Sequence, residues 1–325
     1  MEKLSAEELR QMYGRIAGTD SLYVEEPDLS EEGYRPAVLT EDAYLYIEQL
    51  INYYRVAAGV QEIGLTDELN DSAAWGALTM AMGRDFSHEP QKPEGMSQED
   101  FEKGAYSAAC SNISYYSSNA DNISIREVLA NIVEGQMADS DPGNIARVGH
   151  RRWLLYPRTL SMGAGVADVA GEYNDYYSAI RVSGAGTGAR SANNYDFIAW
   201  PASGYNLSDT FSPQNPWSVS LNPDIYEIPD PEKVQVFLTR IDDGCNWRFN
   251  CRTDIQEPGS EDSFFTVETG NYGLENAIIF RPPYEKLEKY EGSYRVLITG
   301  LYDKKGRKHL LNYVVTFIQY DESES

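Results

Sequence analysis

With 51 acidic against 27 basic side chains in 325 residues, the chain carries a formal net charge of −24 and repels phosphate backbones and anionic membrane surfaces, which argues against nucleic-acid binding. Its 42% apolar and 12% aromatic content is ample for packed cores, and its length predicts two domains. No apolar run approaches the roughly 18 residues of a membrane span, and the opening Met1-Glu2-Lys3-Leu4-Ser5 lacks a hydrophobic signal core, leaving a cytoplasmic protein or a mature form whose signal has been removed.

Residues 1–40 read as an acidic lead-in with a short helix from Ala6 to Ile16 and a loop from Glu25 to Pro36. Thr40 then caps a helix whose Tyr44, Ile47, Ile51 and Tyr54 share a face, ending by Gly59. Thr66 caps a second, with Leu69, Ala73, Ala77 and Met80 on one stripe, ending by Gly83. Ser124 and Glu127 form a capping box, in which each side chain can satisfy a free backbone N–H. The helix they open buries Leu129, Ile132, Val133 and Met137. Ser140-Asp141-Pro142-Gly143 is a turn, and a short helix follows it and stops at Pro157.

After Pro157 the pattern changes to strands. Met162 to Val169, Tyr173 to Val182 and Phe197 to Trp200 predict a meander that completes a first domain over 41–205, with a Gly- and Ser-rich mobile loop from Ser183 to Asn194. From Asn206 helix patterns vanish. Seven short strands, from Trp217–Leu221 to Leu310–Tyr320, are separated by turns such as Asp243-Gly244, which predicts an immunoglobulin-like β-sandwich over 206–325. Cys245 and Cys251 bracket one of these strands. At roughly 3.3 Å per residue its ends lie about 20 Å apart, far beyond the roughly 7 Å that a disulfide spans. Free thiols are expected.

Two of the three histidines stand in similar places: His88 directly after the second helix, in Phe86-Ser87-His88, and His150 in Gly149-His150-Arg151-Arg152-Trp153-Leu154-Leu155-Tyr156-Pro157. Imidazole titrates near neutral pH and is the commonest metal ligand, so the pair marks a candidate site if the fold brings them together.

These phrases, in order, resemble the CAP superfamily (cysteine-rich secretory proteins, antigen 5 and pathogenesis-related 1), also called the SCP domain. Asn52-Tyr53-Tyr54-Arg55-Val56-Ala57-Ala58-Gly59 is similar to the family's N-x-x-R-x-x-x-G helix, and Leu65-Thr66-Asp67-Glu68-Leu69 through His88 to its second helix and first histidine. Ser111-Asn112-Ile113 falls where the family has E-N-I. Gly149-His150-Arg151 matches the bacterial form of the second histidine motif, and Met162-Gly163-Ala164-Gly165-Val166 the strand after it. The resemblance covers roughly residues 41–200. It implies an α+β architecture, a CAP-type α-β-α sandwich, on proteins that are secreted or attached to the cell surface.

The resemblance also implies a cleft of two histidines and two acidic residues that holds zinc or another divalent metal in some members. Carried over, His88 and His150 match as metal ligands, Ser111 stands where a Glu is expected, and the second acid is Asp139 or, as a fallback, Glu134. Two imidazoles and one carboxylate would make a minimal, open metal site. The primary expectation is therefore binding of an extracellular ligand (lipid, glycan or protein) between His88 and His150, with Asn112 beside Ser111. The alternative is metal-assisted hydrolysis in the same cleft, with Asp139 or Glu134 completing the shell or polarising water. Carbohydrate binding by the β-sandwich is a third option.

Bland roles compete with each assignment. His88 and His150 can be structural, Asp139 a helix-end residue, Cys110 a small buried hydrophobe, and Arg151, Arg152 and Trp153 packing residues. Ser111 beside a histidine base has the makings of a nucleophile. Tyr115-Tyr116 and Tyr176-Tyr177 can line a groove or fill a core.

Overall fold

A computed structural model describes residues 3–119, 123–183, 195–254, 257, 261–285 and 287–320. Helix α1 (Ala6–Gly14) opens on a capping box between Ser5 and Glu8. The short strands β1 (Tyr23–Glu25) and β2 (Val38–Leu39) pair ahead of α2 (Glu41–Ala57), which Thr40 caps through the N–H of Ala43. Then come β3 (Gly64–Leu65), α3 (Asp67–Gly83), α4 (Gln98–Ala109), β4 (Ser111–Asn119), α5 (Ile125–Ala138), α6 (Gly149–Leu154), β5 (Ser161–Val169) and β6 (Tyr173–Arg181).

These elements make three layers. The sheet runs in the order β3-β5-β6-β4, with β4 at an edge. Its alternating side chains divide between two cores. Ile113, Ala167, Val169, Tyr177 and Ala179 pack against Ala73, Ala77 and Met80 of α3. Met162, Ala164, Val166, Tyr176 and Ile180 join the core built on α2 and α5. The α-β-α layering is as expected. So is α5, whose Ser124–Glu127 capping box is closed and whose Leu129, Ile132, Val133 and Met137 are buried. The tyrosine pairs are cross-strand partners, Tyr115 with Tyr177 and Tyr116 with Tyr176.

The close fit of α3 on the sheet comes from two glycines of β5. A Cβ added to Gly163 would lie 2.1 Å from the backbone carbon of Leu69, and one added to Gly165 would lie 2.2 Å from the backbone nitrogen of Ala74. No side chain fits there, so α3 lies directly on the strand.

The second half is two facing sheets. Strands β7 (Phe197–Trp200), β8 (Gly204–Leu207), β9 (Trp217–Leu221), β10 (Gln235–Arg240), β11 (Asn246–Phe249), β12 (Phe264–Glu268), β13 (Ala277–Arg281), β14 (Gly292–Tyr302) and β15 (Lys308–Ile318) form the orders β11-β10-β14-β15-β8 and β12-β13-β9-β7. Between the sheets Trp217 of β9 meets Tyr294 and Phe317 of the other sheet, and its Nε1–H donates to the hydroxyl of buried Tyr290 at 3.0 Å. Cys110, Cys245 and Cys251 are free thiols.

One strand pairs otherwise than expected. Phe197–Trp200 is not a third strand of the first meander; it pairs antiparallel with β9. An apolar run of four residues looks the same in either sheet. The loop expected at 183–194 lies outside the described residues except for Ser183. The halves also share one core: a single cluster runs from α2 and α5 through Trp200 to both sheets of the second half.

Candidate functional site

The cleft forms where the edge strand β4 begins. Here the α3 side and the α5–α6 side of the sheet meet around Ser111 and Asn112. His88 arrives from the loop after α3, which Arg84 ends by taking the left-handed conformation at φ 46°. His150 arrives from the first turn of α6, preceded by Val148 at φ 43°. A buried β-branched residue in that region is strained by about 1–2 kcal/mol, so the surrounding packing imposes the turn.

Both histidines line the same cavity, of about 500 Å³, together with Phe86, Cys110, Ser111, Asn112, Arg147, Trp153, Asn271 and Tyr272. The His88 Nδ1–H donates to the carbonyl of Ala108 at 2.9 Å. The His150 Nδ1–H donates to Oδ1 of Asp139 at 2.8 Å. Each acceptor fixes its tautomer, which leaves both Nε2 atoms free to meet a ligand. Burial of His150 opposes its charge, but the carboxylate of Asp139 and its hydrogen bond outweigh that. The imidazole is held above its ordinary 6.5.

The expected partners of the histidines fall in different places. Ser111 lines the cleft, buried, and its Oγ has no hydrogen-bond partner among the described residues. Asn112 lines it too, and its Nδ2 donates to Oε1 of Gln136 at 3.1 Å and to the carbonyl of His150 at 2.9 Å, tying β4 to α5 and α6. Asp139, fully buried at φ 45° just past α5, stands behind His150 rather than on the cavity wall, with Oδ2 accepting the Arg151 backbone N–H at 3.0 Å. Glu134 is on another side of α5, near Arg126, Tyr46 and Tyr54, where burial pushes its carboxyl up.

This arrangement does not fit a resident zinc ion. Structural and catalytic zinc sites take three or four protein ligands. Both Asp139 oxygens are already occupied, Glu134 is elsewhere, and the described residues contain no group of three or more His, Cys, Asp or Glu placed to hold a metal.

The two residues after His150 fasten the site to the second half. Arg151, fully buried, donates to the carbonyls of Met137, Ala138 and Pro216 and to Oγ of Ser218 on β9. Burial lowers its pKa to about 10. Arg152 donates to the carbonyls of Arg147, Gly270 and Leu274, pairs with Glu268, and sits 4.9 Å from the Tyr272 ring centre. Both arginines were expected as packing residues. Their reach into the β-rich half, and the Asn271 and Tyr272 wall it secures, were missed. In sequence, Gly270-Asn271-Tyr272-Gly273 is only a turn between two strands.

Residues 48–180 match the model of the CAP family, the cysteine-rich secretory protein family. Among curated proteins none matches the chain. The matched span holds His88, His150, Ser111 and the α-β-α layers that bring them together, and no described helix is long and apolar enough to cross a membrane. Residues 48–180 are thus a CAP domain by their match to the cysteine-rich secretory protein family, and the β-rich region after them supplies part of the cleft wall.

Proposed function

We propose that the chain is a secreted or cell-surface protein that binds a ligand or partner segment in the cleft between His88 and His150. The supporting observation is the pair of imidazoles. Each is tied to the scaffold through Nδ1, and among the described residues neither Nε2 nor the nearby Oγ of Ser111 has a partner, so all three are available to a ligand. Buried polar atoms without partners are rare and call for one. A cavity of about 500 Å³ suits a small molecule or a short chain segment. The family's description as secretory supports the extracellular setting.

Thermal melting of the full chain against organic acids, glycans and lipids tests this reading, because a ligand that binds only the folded state raises the melting temperature. The shift should disappear in both His88→Gln and His150→Gln. A ligand whose shift survives both substitutions binds elsewhere, and the cleft reading then fails.

A further inference from the structure

We propose that the cleft selects ligands bearing an oxyanion, a carboxylate or a phosphate, on an apolar body. Arg147, His150 and Ser111 hold the anion, and Phe86, Trp153 and Tyr272 hold the body. This inference rests on the reading of the cleft as a binding site and names its ligand class.

The first argument is charge. The chain has 51 acidic residues, so a wall the size of the cleft's would hold about three at average composition. Among the described residues it holds none; its basic side chains are Arg147, His88 and His150. Asp139 and Asp141 stand behind His150 and the Gly143–Asn144 turn rather than on the wall, so within the roughly 10 Å over which salt screens charge a ligand meets the basic groups first and these two carboxylates behind them.

The second argument is the direction of the hydrogen bonds. His150 is faced by Asp139 and Asp141, which favour its protonated form, and by Arg147 and its own burial, which oppose it; the carboxylates prevail. In the protonated form that these carboxylates favour, the imidazole offers Nε2–H as a donor and does not ligate a cation. Arg147 Nε and Nη2 donate to the carbonyl of Gly143 at 3.1 and 2.7 Å, which steadies the guanidinium, and its Nη1 has no acceptor among the described residues. The buried Ser111 hydroxyl adds a third donor, without a partner among the described residues. Three donors around one cavity call for an acceptor-rich head, and charge-assisted bonds to an oxyanion are the strongest they can make.

The third argument is the rest of the wall. Phe86, about half exposed, and the rings of Trp153 and Tyr272 give the cavity flat apolar faces around these donors. Tyr272 is backed by the Arg152 guanidinium, so its ring is fixed in place.

Calorimetric titration of the full chain with phenyl phosphate, 3-phenylpropionate and the neutral 3-phenylpropionamide decides the matter. Both anions should bind at least about tenfold more tightly than the amide, as one charge-assisted bond implies. Their affinity should fall as pH rises through the titration of His150, while the amide's should not change. Arg147→Gln should weaken the anions about tenfold and leave melting temperature unaltered, because its side chain is exposed and, among the described residues, hydrogen-bonds only to the carbonyl of Gly143. Preference for phosphate over carboxylate identifies the head group.

The inference fails if the amide binds as well as the anions, if Arg147→Gln leaves anion affinity intact, if binding requires added zinc, or if none of the three binds at millimolar concentration. In each of those cases the cleft reading stands or falls separately, on the His88 and His150 substitutions.

Discussion

Asp139 shows what one residue's conformation does to a site. Its φ of 45° turns the carboxylate inward from the end of α5, so it acts on the cleft only through His150. Asp139→Asn keeps a side chain that tolerates the left-handed region but removes the charge. Stability should drop by about 2 kcal/mol, and the His150 titration followed by NMR should move to lower pH. Because the folded pKa of His150 lies above the ordinary 6.5, the extra stability is fully present below that value and is lost as pH rises through the folded one. Melting across this window should therefore bring wild type and Asp139→Asn closer at alkaline pH; a constant gap would refute the coupling. The sequence pointed to Asp139 and to Glu134 as its fallback. It could not tell a carboxylate on the wall from one behind it, because that depends on a single backbone angle. Glu134 lies five positions before Asp139, inside α5 rather than just past its end, so the two face different neighbours.

At the scale of elements, the contact between α3 and β5 depends on missing side chains. Gly165→Ala would drive a Cβ into helix backbone, which cannot rotate aside, and should destabilise by 3 kcal/mol or more, about as much as severe overpacking. Gly135→Ala on α5 is the control. Its Cβ would meet nothing within 4 Å, so it should stabilise by roughly 0.5–1 kcal/mol. Urea denaturation of the two variants tests both statements. The same close packing explains why α4 escaped a reading of periodicity. Its buried residues are Gly104, Ser107 and Ala108, small groups that let two helices approach without an apolar stripe. The edge strand β4 was missed for a related reason: Ser111, Asn112 and Ser114 serve the cleft and its supports more than a core. By contrast α2, α3 and α5 carry full apolar faces, and the caps of α2 and α5 were legible too; Thr66, expected to cap α3, stands at its start but makes no side-chain capping hydrogen bond.

Across the whole molecule the two halves are not independent beads. Trp200 packs 5.2 Å from Tyr54, centroid to centroid, while its strand belongs to the second half. Arg151 and Arg152 carry buried charge into that half. Ending the chain at residue 205 would take the Pro216 and Ser218 acceptors from Arg151 and leave Arg152 only the Arg147 carbonyl, without its Glu268 partner, and breaking a buried ion pair by removing one partner costs about 3–5 kcal/mol. The full chain should melt in one cooperative transition by calorimetry, and the 1–205 fragment should show none at the same temperature. A fragment that melts as the full chain does would make the shared core incidental. The α+β composition and the two regions were readable from the change of pattern after Pro157. That the regions interlock was not, since carbonyl acceptors such as those of Pro216 and Leu274 leave no mark in a sequence.

Helix α6 places three neighbours in three directions: His150 to the cleft, Arg151 to β9, Arg152 to the loop before β13. Successive residues of a helix are turned by about 100°, so the assignment depends on their exact count. One residue inserted between Gly149 and His150 would swing everything beyond it by that angle and put the imidazole where a guanidinium belongs. Substitutions here can be repaired one at a time. A change of length cannot, and descendants of this chain are free to lengthen almost any surface loop before they lengthen this helix.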